Sequence, residues 1–139
     1  MLGRVMNSKF HVVEGELLEK YHEDLIICSA CIGGEIPQHI LNGRMDKAEE
    51  SVLWFKNLFG EDYYLEIQRH ETHDPNAAQD VYPHQVTANK AILELARKHN
   101  IKVIATNDVH FVNAEDAEAH DRLICLSTGK DLDDPNRMR

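Results

Sequence analysis

Asp108 and His110 form an Asp-x-His pair directly after a predicted strand. Side chains at positions i and i+2 of an extended chain project to the same face, so this carboxylate and this imidazole can reach one metal ion. The same spacing also fits a hydrogen-bonded polar pair at the rim of a sheet. The sequence therefore leaves two interpretations of the pair, a metal site and a structural polar pair.

Cys31 is the third candidate ligand. It follows an apolar run and precedes Gly33 and Gly34, and glycines let the backbone approach a ligand closely. A thiolate at this position is a suitable zinc ligand. The alternative is that Cys31 is a small buried hydrophobic residue, an interpretation that fits Cys28 and Cys125 better still.

Glu66 and His70 stand four residues apart at the end of another predicted strand. An extended span of four residues is too long to place both side chains on one ion without a turn. We therefore predict that these two residues belong to a solvent-exposed polar loop. His120, on a predicted helix, is expected to cap the fold or to form a hydrogen bond within it.

The elements that must position these residues alternate between strands and helices. Such alternation specifies a parallel sheet with helical crossovers, in which the carboxyl ends of the strands share one edge. We therefore expect the candidate residues to gather at that edge. Apolar runs and helical periodicity predict strands over 25–29, 63–68 and 101–106, and helices over 36–41, 45–59, 86–99 and 116–126.

The remaining segments have no clear periodicity. Residues 1–10 are predicted to be a poorly ordered start, and residues 69–83 to be a long loop. A loop of that length in a compact domain is more often functional than idle. The ordered part of the chain is therefore expected to begin near residue 11.

Length and charge limit the classes of protein. The chain has 139 residues with 15 Lys and Arg against 24 Asp and Glu, a net charge of −9, which fits one domain and argues against broad binding of a phosphate backbone. Three cysteines form no disulfide framework and suit a reducing compartment. With no apolar run long enough to cross a membrane and no secretory signal, a cytoplasmic location without membrane contact is expected.

The sequence lacks the glycine-rich loops that cradle phosphates and the Gly-x-Ser-x-Gly motif of serine hydrolases. Carboxylate, imidazole and thiolate groups at predicted strand ends instead favour metal-assisted hydrolysis. In that chemistry a metal-bound water of lowered pKa attacks an ester or a phosphodiester.

The sequence contains the segments LLEKYHEDLIICSACIGGEIPQ, YYLEIQRH and IKVIATNDVHFVNAEDAEAHDRLICLSTGK. These three segments closely resemble the PHP (polymerase and histidinol phosphatase) domain of bacterial replicative DNA polymerase III alpha subunits. The resemblance covers about residue 11 to the end, and it implies a distorted (β/α)₇ barrel with a trinuclear cluster of divalent metal ions, commonly zinc, iron or manganese, at its rim. By motif position, Cys31, Asp108 and His110 fall on the later metal ligands of this family.

The early metal-binding motifs of the family, a His-x-His and the His and Glu ligands after it, have no counterpart in residues 1–13. We therefore expect residues 11–139 to be a partial PHP domain, the second half of the barrel, with an incomplete metal site. The resemblance implies that the parent protein carries out DNA-directed DNA synthesis. In such polymerases the PHP domain is either a metal-dependent 3′–5′ proofreading exonuclease or a scaffold for a separate proofreading subunit.

Two other functions remain open. One is a free-standing PHP-type metal-dependent phosphoesterase, and the other is a protein-docking module without catalysis. The expected partners are other parts of the polymerase alpha subunit, a proofreading exonuclease subunit, and DNA bound through the parent protein. Because half a barrel leaves strand edges unpaired, we also expect a homodimer formed through those edges.

Overall fold

The computed structural model describes residues 5–8, 11–13, 15–73, 79–134 and 137. They fall into two compact units. The first comprises Met1–Glu71 and Asp80–Asn107, and the second comprises Thr72–Gln79 and Asp108–Arg139. The predicted boundaries of a single domain over 11–139 therefore stay a prediction.

A three-stranded parallel sheet forms the centre of the first unit. Its strands are β3 (Ile27–Cys28), β4 (Tyr63–Ile67) and β5 (Lys102–Ala105), in the order β3-β4-β5. β4 pairs with β5 from Tyr64↔Lys102 to Ile67↔Ala105. The predicted α/β class with parallel strands is confirmed, whereas the seven-stranded barrel stays a prediction.

β3 is shorter than predicted. Leu25 and Ile26, expected within a strand buried on both faces, precede it and are 45% and 71% exposed. In the described part of the chain β3 pairs with β4 alone, so it lies at an edge of the sheet. An edge strand has no neighbouring strand on one side, which explains why Leu25 and Ile26 are not buried as predicted.

Three helices lie around this sheet; the second and third contact its strands, and the first packs against both of these helices. They are α2 (Glu35–Leu41), α3 (Met45–Phe59) and α4 (Val81–His99). The bounds of α3 match the sequence prediction, because its apolar residues recur with helical spacing and Gly60 follows with a positive φ of 56°. Their inward faces and the strands form one core, which includes Ile36, Val52, Phe55, Tyr63, Leu65, Ala88, Ile92 and Leu95.

α4 begins five residues earlier than predicted. Pro83 lies in its first turn, where the missing N–H would have no partner within the helix. The predicted loop over 69–83 is correspondingly shorter, and residues 74–78 of that loop lie outside the described residues.

The amino-terminal part contains β1 (Val5–Ser8), β2 (His11–Val13) and α1 (Gly15–Tyr21). β1 and β2 pair antiparallel, an arrangement that the sequence did not predict. Within the predicted poorly ordered start, residues 1–4, 9 and 10 lie outside the described residues.

In the second unit, a short 3₁₀ turn over Ala114–Asp116 leads into α5 (Ala117–Thr128). Asn113 and Asp116 cap this turn through two hydrogen bonds to the Asp116 carboxylate, from the backbone N–H and the side-chain amide of Asn113. α5 ends at Gly129, whose φ is 66°. Among the described residues, no helix has the length and apolar character that crossing a bilayer requires.

Candidate functional site

The Glu66 carboxylate joins the carboxyl ends of all three parallel strands in the first unit. Its Oε2 accepts a hydrogen bond from the Ala30 N–H (2.5 Å), and its Oε1 accepts one from the Thr106 hydroxyl (2.8 Å). The backbone N–H of Glu66 in turn donates to the Ser29 hydroxyl oxygen (2.7 Å). Side chains at the end of one strand thus form hydrogen bonds with the backbone of the neighbouring strand or the residues that follow it.

Gln68 extends this network toward α4. Its side-chain amide donates to the Thr106 hydroxyl oxygen (3.0 Å), and its backbone carbonyl accepts from the Asn89 side chain (2.8 Å). Gln68 is buried, so these hydrogen bonds replace water that its polar atoms have lost.

Both ring nitrogens of His70 take part in hydrogen bonds. The Gln85 amide donates to Nδ1 (2.8 Å), while Nε2 lies 3.2 Å from the Asn107 carbonyl oxygen and 3.1 Å from its side-chain oxygen. The backbone N–H of His70 also donates to Oε1 of Gln85 (2.7 Å). Nδ1 is therefore an acceptor and Nε2 a donor, and metal ligation by His70 would require one of these contacts to break.

The prediction that Glu66 and His70 belong to an exposed polar loop is therefore wrong for Glu66, which lies within β4, whereas His70 lies in the loop after that strand. Both are partly buried and hydrogen-bonded across the sheet edge. The sequence also gave no reason to choose Gln85 or Thr106. Gln85 is 2% exposed. It lies before residue 86, where the predicted helix begins, so helical periodicity did not predict its burial.

Cys31 lies in the turn from β3 to α2. The Gly34 N–H donates to its backbone carbonyl (2.8 Å), and a Cβ on Gly34 would lie 2.5 Å from the Ser29 carbonyl oxygen. The turn therefore needs glycine at position 34. Cys31 is partly exposed, in contrast to the buried Cys125. This exposure favours the ligand interpretation over that of a small core residue.

The neighbouring Cys28 thiol has a raised pKa. Burial is the main cause, and the negative charge of Glu66 adds to it. Both effects disfavour the thiolate form. Cys28 is thus poorly suited to be a metal ligand.

In the second unit, His110 is prepared for ligation at one nitrogen. Its Nδ1–H donates to the Asp108 backbone carbonyl (2.7 Å), which leaves the lone pair on Nε2. Metal-binding histidines commonly use the second nitrogen in this way. The His120 ring lies 5.5 Å from the His110 ring, centroid to centroid.

Asp108 has a backbone conformation that strand geometry did not predict. β5 ends at Ala105, and Asp108 has a φ of 43°, in the left-handed region that aspartate adopts more readily than most residues other than glycine. The rule that residues i and i+2 of a strand share a face therefore does not apply to Asp108 and His110.

The three predicted ligands belong to different units, Cys31 to the first and Asp108 and His110 to the second. Among the residues that the structure describes, no three or more His, Cys, Asp or Glu side chains form a metal-binding group. The three-ligand site therefore stays a prediction. The chemistry of each residue fits it: a partly exposed thiol, an exposed carboxylate and an imidazole whose Nδ1 donates to a backbone carbonyl.

Comparison with known proteins identifies the family. Residues 4–70 match the family model described as PHP domain. DNA polymerase III subunit alpha of Borreliella burgdorferi is 42% identical over 127 residues, which cover 91% of this chain and 10% of the relative. The same subunit of Campylobacter jejuni is 39% identical over 137 residues, covering 91% of this chain and 11% of the relative.

A third relative, DNA polymerase III subunit alpha of Aquifex aeolicus, is 39% identical over 120 residues, covering 86% of this chain and 10% of the relative. The chain thus spans about a tenth of the length of the curated relatives it matches. The resemblance found in the sequence is confirmed. The chain is a homologue of the PHP domain of DNA polymerase III subunit alpha.

Proposed function

We propose that this chain serves as a PHP-domain portion of a replicative DNA polymerase and that DNA-directed DNA synthesis is the activity of the larger protein. One observation carries this proposal, the 42% identity to a DNA polymerase III alpha subunit across 91% of the chain. The chain has no polymerase activity of its own in this proposal, and it acts in the cytoplasm together with the other parts of the alpha subunit.

Within that role, Cys31, Asp108 and His110 contribute to a site for zinc, manganese or iron. The free Nε2 lone pair of His110 and the partial exposure of Cys31 support this assignment. A bound divalent metal would supply Lewis acidity and an activated water for hydrolysis of a phosphodiester, as in 3′–5′ proofreading. The chain's own contribution is to hold the imidazole tautomer and to present the thiol from a glycine-dependent turn.

Metal content measured by elemental analysis tests this site. Cys31→Ser, Asp108→Asn and His110→Gln are each expected to lower the bound metal per chain, because each removes one ligand. His84→Gln is the matched control, since His84 is exposed on α4 in the first unit. Equal metal content in all five proteins, wild type included, would remove the three residues from the proposal.

A docking role without catalysis is the second candidate, and exposed apolar side chains in the second unit favour it. Val109, Val112, Leu123 and Leu126 are 63–91% exposed. Exposed apolar side chains are the kind of surface that interaction sites bury, and the net charge of −9 disfavours direct DNA contact. A proofreading exonuclease subunit and the rest of the alpha subunit are the proposed partners.

Co-purification with a purified proofreading subunit tests the docking role. Leu126→Ser and Val112→Ser should each reduce the recovered complex, because they replace apolar contact area by hydroxyl groups. Thr87→Ala on α4 provides a control outside this unit. Release of phosphate from model esters by the isolated chain would instead favour a free-standing phosphoesterase.

A further inference from the structure

The turn between α2 and α3 contains an Asn-Gly dipeptide, Asn42 and Gly43, which the sites described above do not use. It is the only Asn-Gly pair in the chain. An asparagine followed by glycine is especially prone to spontaneous deamidation, because glycine has no side chain to shield its backbone nitrogen. Both residues are exposed, and among the described residues no atom lies within 4 Å of a Cβ placed on Gly43. Solvent therefore reaches this dipeptide in the folded protein.

Deamidation at this position is an intramolecular substitution. The backbone nitrogen of Gly43, after losing its proton to hydroxide, attacks the side-chain carbonyl carbon Cγ of Asn42. A C–N bond forms, the bond from Cγ to Nδ2 breaks, and Nδ2 leaves as ammonia after taking a proton from water. Water then hydrolyses the resulting succinimide at either of its two carbonyl groups. The product is aspartate or isoaspartate at position 42, and solvent supplies every other reactant.

The folded chain opposes this reaction at both reacting groups. The Gly43 N–H donates a hydrogen bond to the Ile40 carbonyl (3.0 Å), and the Asn42 side-chain amide donates one to the Gln38 carbonyl (2.7 Å). Ring closure also requires the Gly43 nitrogen to be nearly eclipsed with the Asn42 Cβ about the Cα–C bond. The ψ of 10° at Asn42 is far from that arrangement. The attack therefore requires the turn to open first.

We propose that Asn42 is a deamidation site whose reaction rate is controlled by opening of the turn between α2 and α3. The Asn-Gly sequence provides the intrinsic reactivity, and the two hydrogen bonds keep the dipeptide unreactive while the turn is closed. Opening of a helix end requires less free energy than global unfolding, so the folded protein reacts slowly but measurably. This inference is independent of the proposed metal site and of the docking role.

The product of the reaction weakens the same turn. An aspartate at position 42 has no side-chain N–H to donate to the Gln38 carbonyl, and its carboxylate repels that carbonyl oxygen. Isoaspartate adds a methylene group to the backbone, which misaligns the Arg44 N–H with the His39 carbonyl that accepts it at 2.8 Å. Deamidation therefore loosens the connection between the two helices.

Peptide mass spectrometry after incubation of the full chain at mildly alkaline pH tests the proposal. In guanidinium chloride, Asn42 should deamidate faster than Asn57 and Asn89, which are followed by leucine and lysine. Without denaturant, the reaction at Asn42 should be slower by roughly tenfold or more, because the closed turn must first open. Equal rates in the two conditions would overturn control by the turn. A rate at Asn42 no higher than at Asn57 in denaturant would overturn the site itself.

A matched pair of core variants separates local opening from global unfolding. Ile40 and Ile101 are 7% and 8% exposed, and only Ile40 belongs to α2. Ile40→Ala should accelerate deamidation of the folded chain roughly threefold or more over Ile101→Ala, because its cavity loosens the helix that accepts the Gly43 N–H. Equal acceleration by both variants would overturn local opening. The wild-type comparison with and without denaturant decides the proposal even where a variant does not fold.

Thermal unfolding measures the effect of the product separately. Asn42→Asp and Asn42→Ala both lose the amide donor, but only the carboxylate repels the Gln38 carbonyl. Asn42→Asp should therefore melt about 2–4 °C below Asn42→Ala. An equal or higher melting temperature for Asn42→Asp would overturn the effect assigned to the product.

Discussion

Glu66 shows how much one side chain can determine at the sheet edge. Its two carboxylate oxygens bind residues 36 positions before it and 40 positions after it, Ala30 and Thr106. Ala30 has a positive φ of 65°, a conformation that costs energy for an alanine and that the hydrogen bond to Glu66 helps to maintain. The same carboxylate thus shapes the segment that leads to Cys31.

Replacing Glu66 by glutamine should lower the free energy of unfolding by about 1–3 kcal/mol, because an amide cannot accept at both positions and loses the charge that strengthens these bonds. Urea unfolding measures the effect. Glu94→Gln, exposed on α4, should change stability little. Equal midpoints for the two variants would contradict the role given to Glu66.

The pH dependence of thiol alkylation tests the environment of Cys28. Because burial and the charge of Glu66 raise its pKa, the reaction with iodoacetamide should increase only at a pH above that of an ordinary thiol. Glu66→Gln removes the second cause and should move the apparent pKa of Cys28 downward. An upward movement, or a profile like that of a free thiol in the wild type, would contradict this account.

At the scale of elements, the turn between β3 and α2 has the tightest steric requirement. A Cβ on Gly34 would lie 2.5 Å from the Ser29 carbonyl oxygen and 3.1 Å from that of Cys31. Both obstacles are backbone atoms, which cannot move without shifting the strand or the helix. By contrast, a Cβ on Gly33 would meet only the Cys31 Sγ at 3.7 Å, an ordinary contact.

Gly34→Ala should therefore destabilise the protein by roughly 1–3 kcal/mol or more, as overpacking does, while Gly33→Ala should be tolerated. Thermal unfolding of the two variants provides a matched comparison on adjacent residues. Similar melting temperatures for both would show that the turn can rearrange and that glycine at position 34 is not required.

At the scale of the whole molecule, the parallel sheet of the first unit has two open edges among the described strands, β3 and β5. β3 pairs with β4 alone among the described strands, and Ile26 beside it is 71% exposed. Unpaired edges of this kind readily accept another strand. The homodimer expected from the sequence stays a prediction, and the edge at β3 is its proposed interface.

Light scattering over a range of protein concentrations tests the dimer. The wild type should show a rising mean mass, whereas Ile26→Lys should remain monomeric because a charged side chain opposes pairing at the edge. Leu53→Lys, a partly exposed position on α3, is the control and should behave like the wild type. A mass that does not change with concentration in the wild type would exclude the dimer in that range.

The sequence by itself determined several of the helices and strands and the resemblance to a family. The bounds of α3, the parallel strands over 63–67 and 102–105, and the resemblance to PHP domains all follow from local patterns of residue type. The spacing of hydrophobic residues is a short-range property, so it can be recognised in the sequence without knowledge of the fold. The same reasoning fails at Leu25 and Ile26, because burial depends on which strand lies beside them.

Only the tertiary structure decided how the polar residues are used. The contacts of Glu66 with Ala30 and Thr106 and of His70 with Gln85 join positions 15 to 40 residues apart, which only the register of the parallel sheet and the position of α4 bring together. Likewise, the backbone of Asp108 is left-handed and not extended, so the extended geometry from which we predicted its pairing with His110 is absent there. Spacing along the chain gives candidate residues, whereas hydrogen bonds across strands give each of them its chemistry.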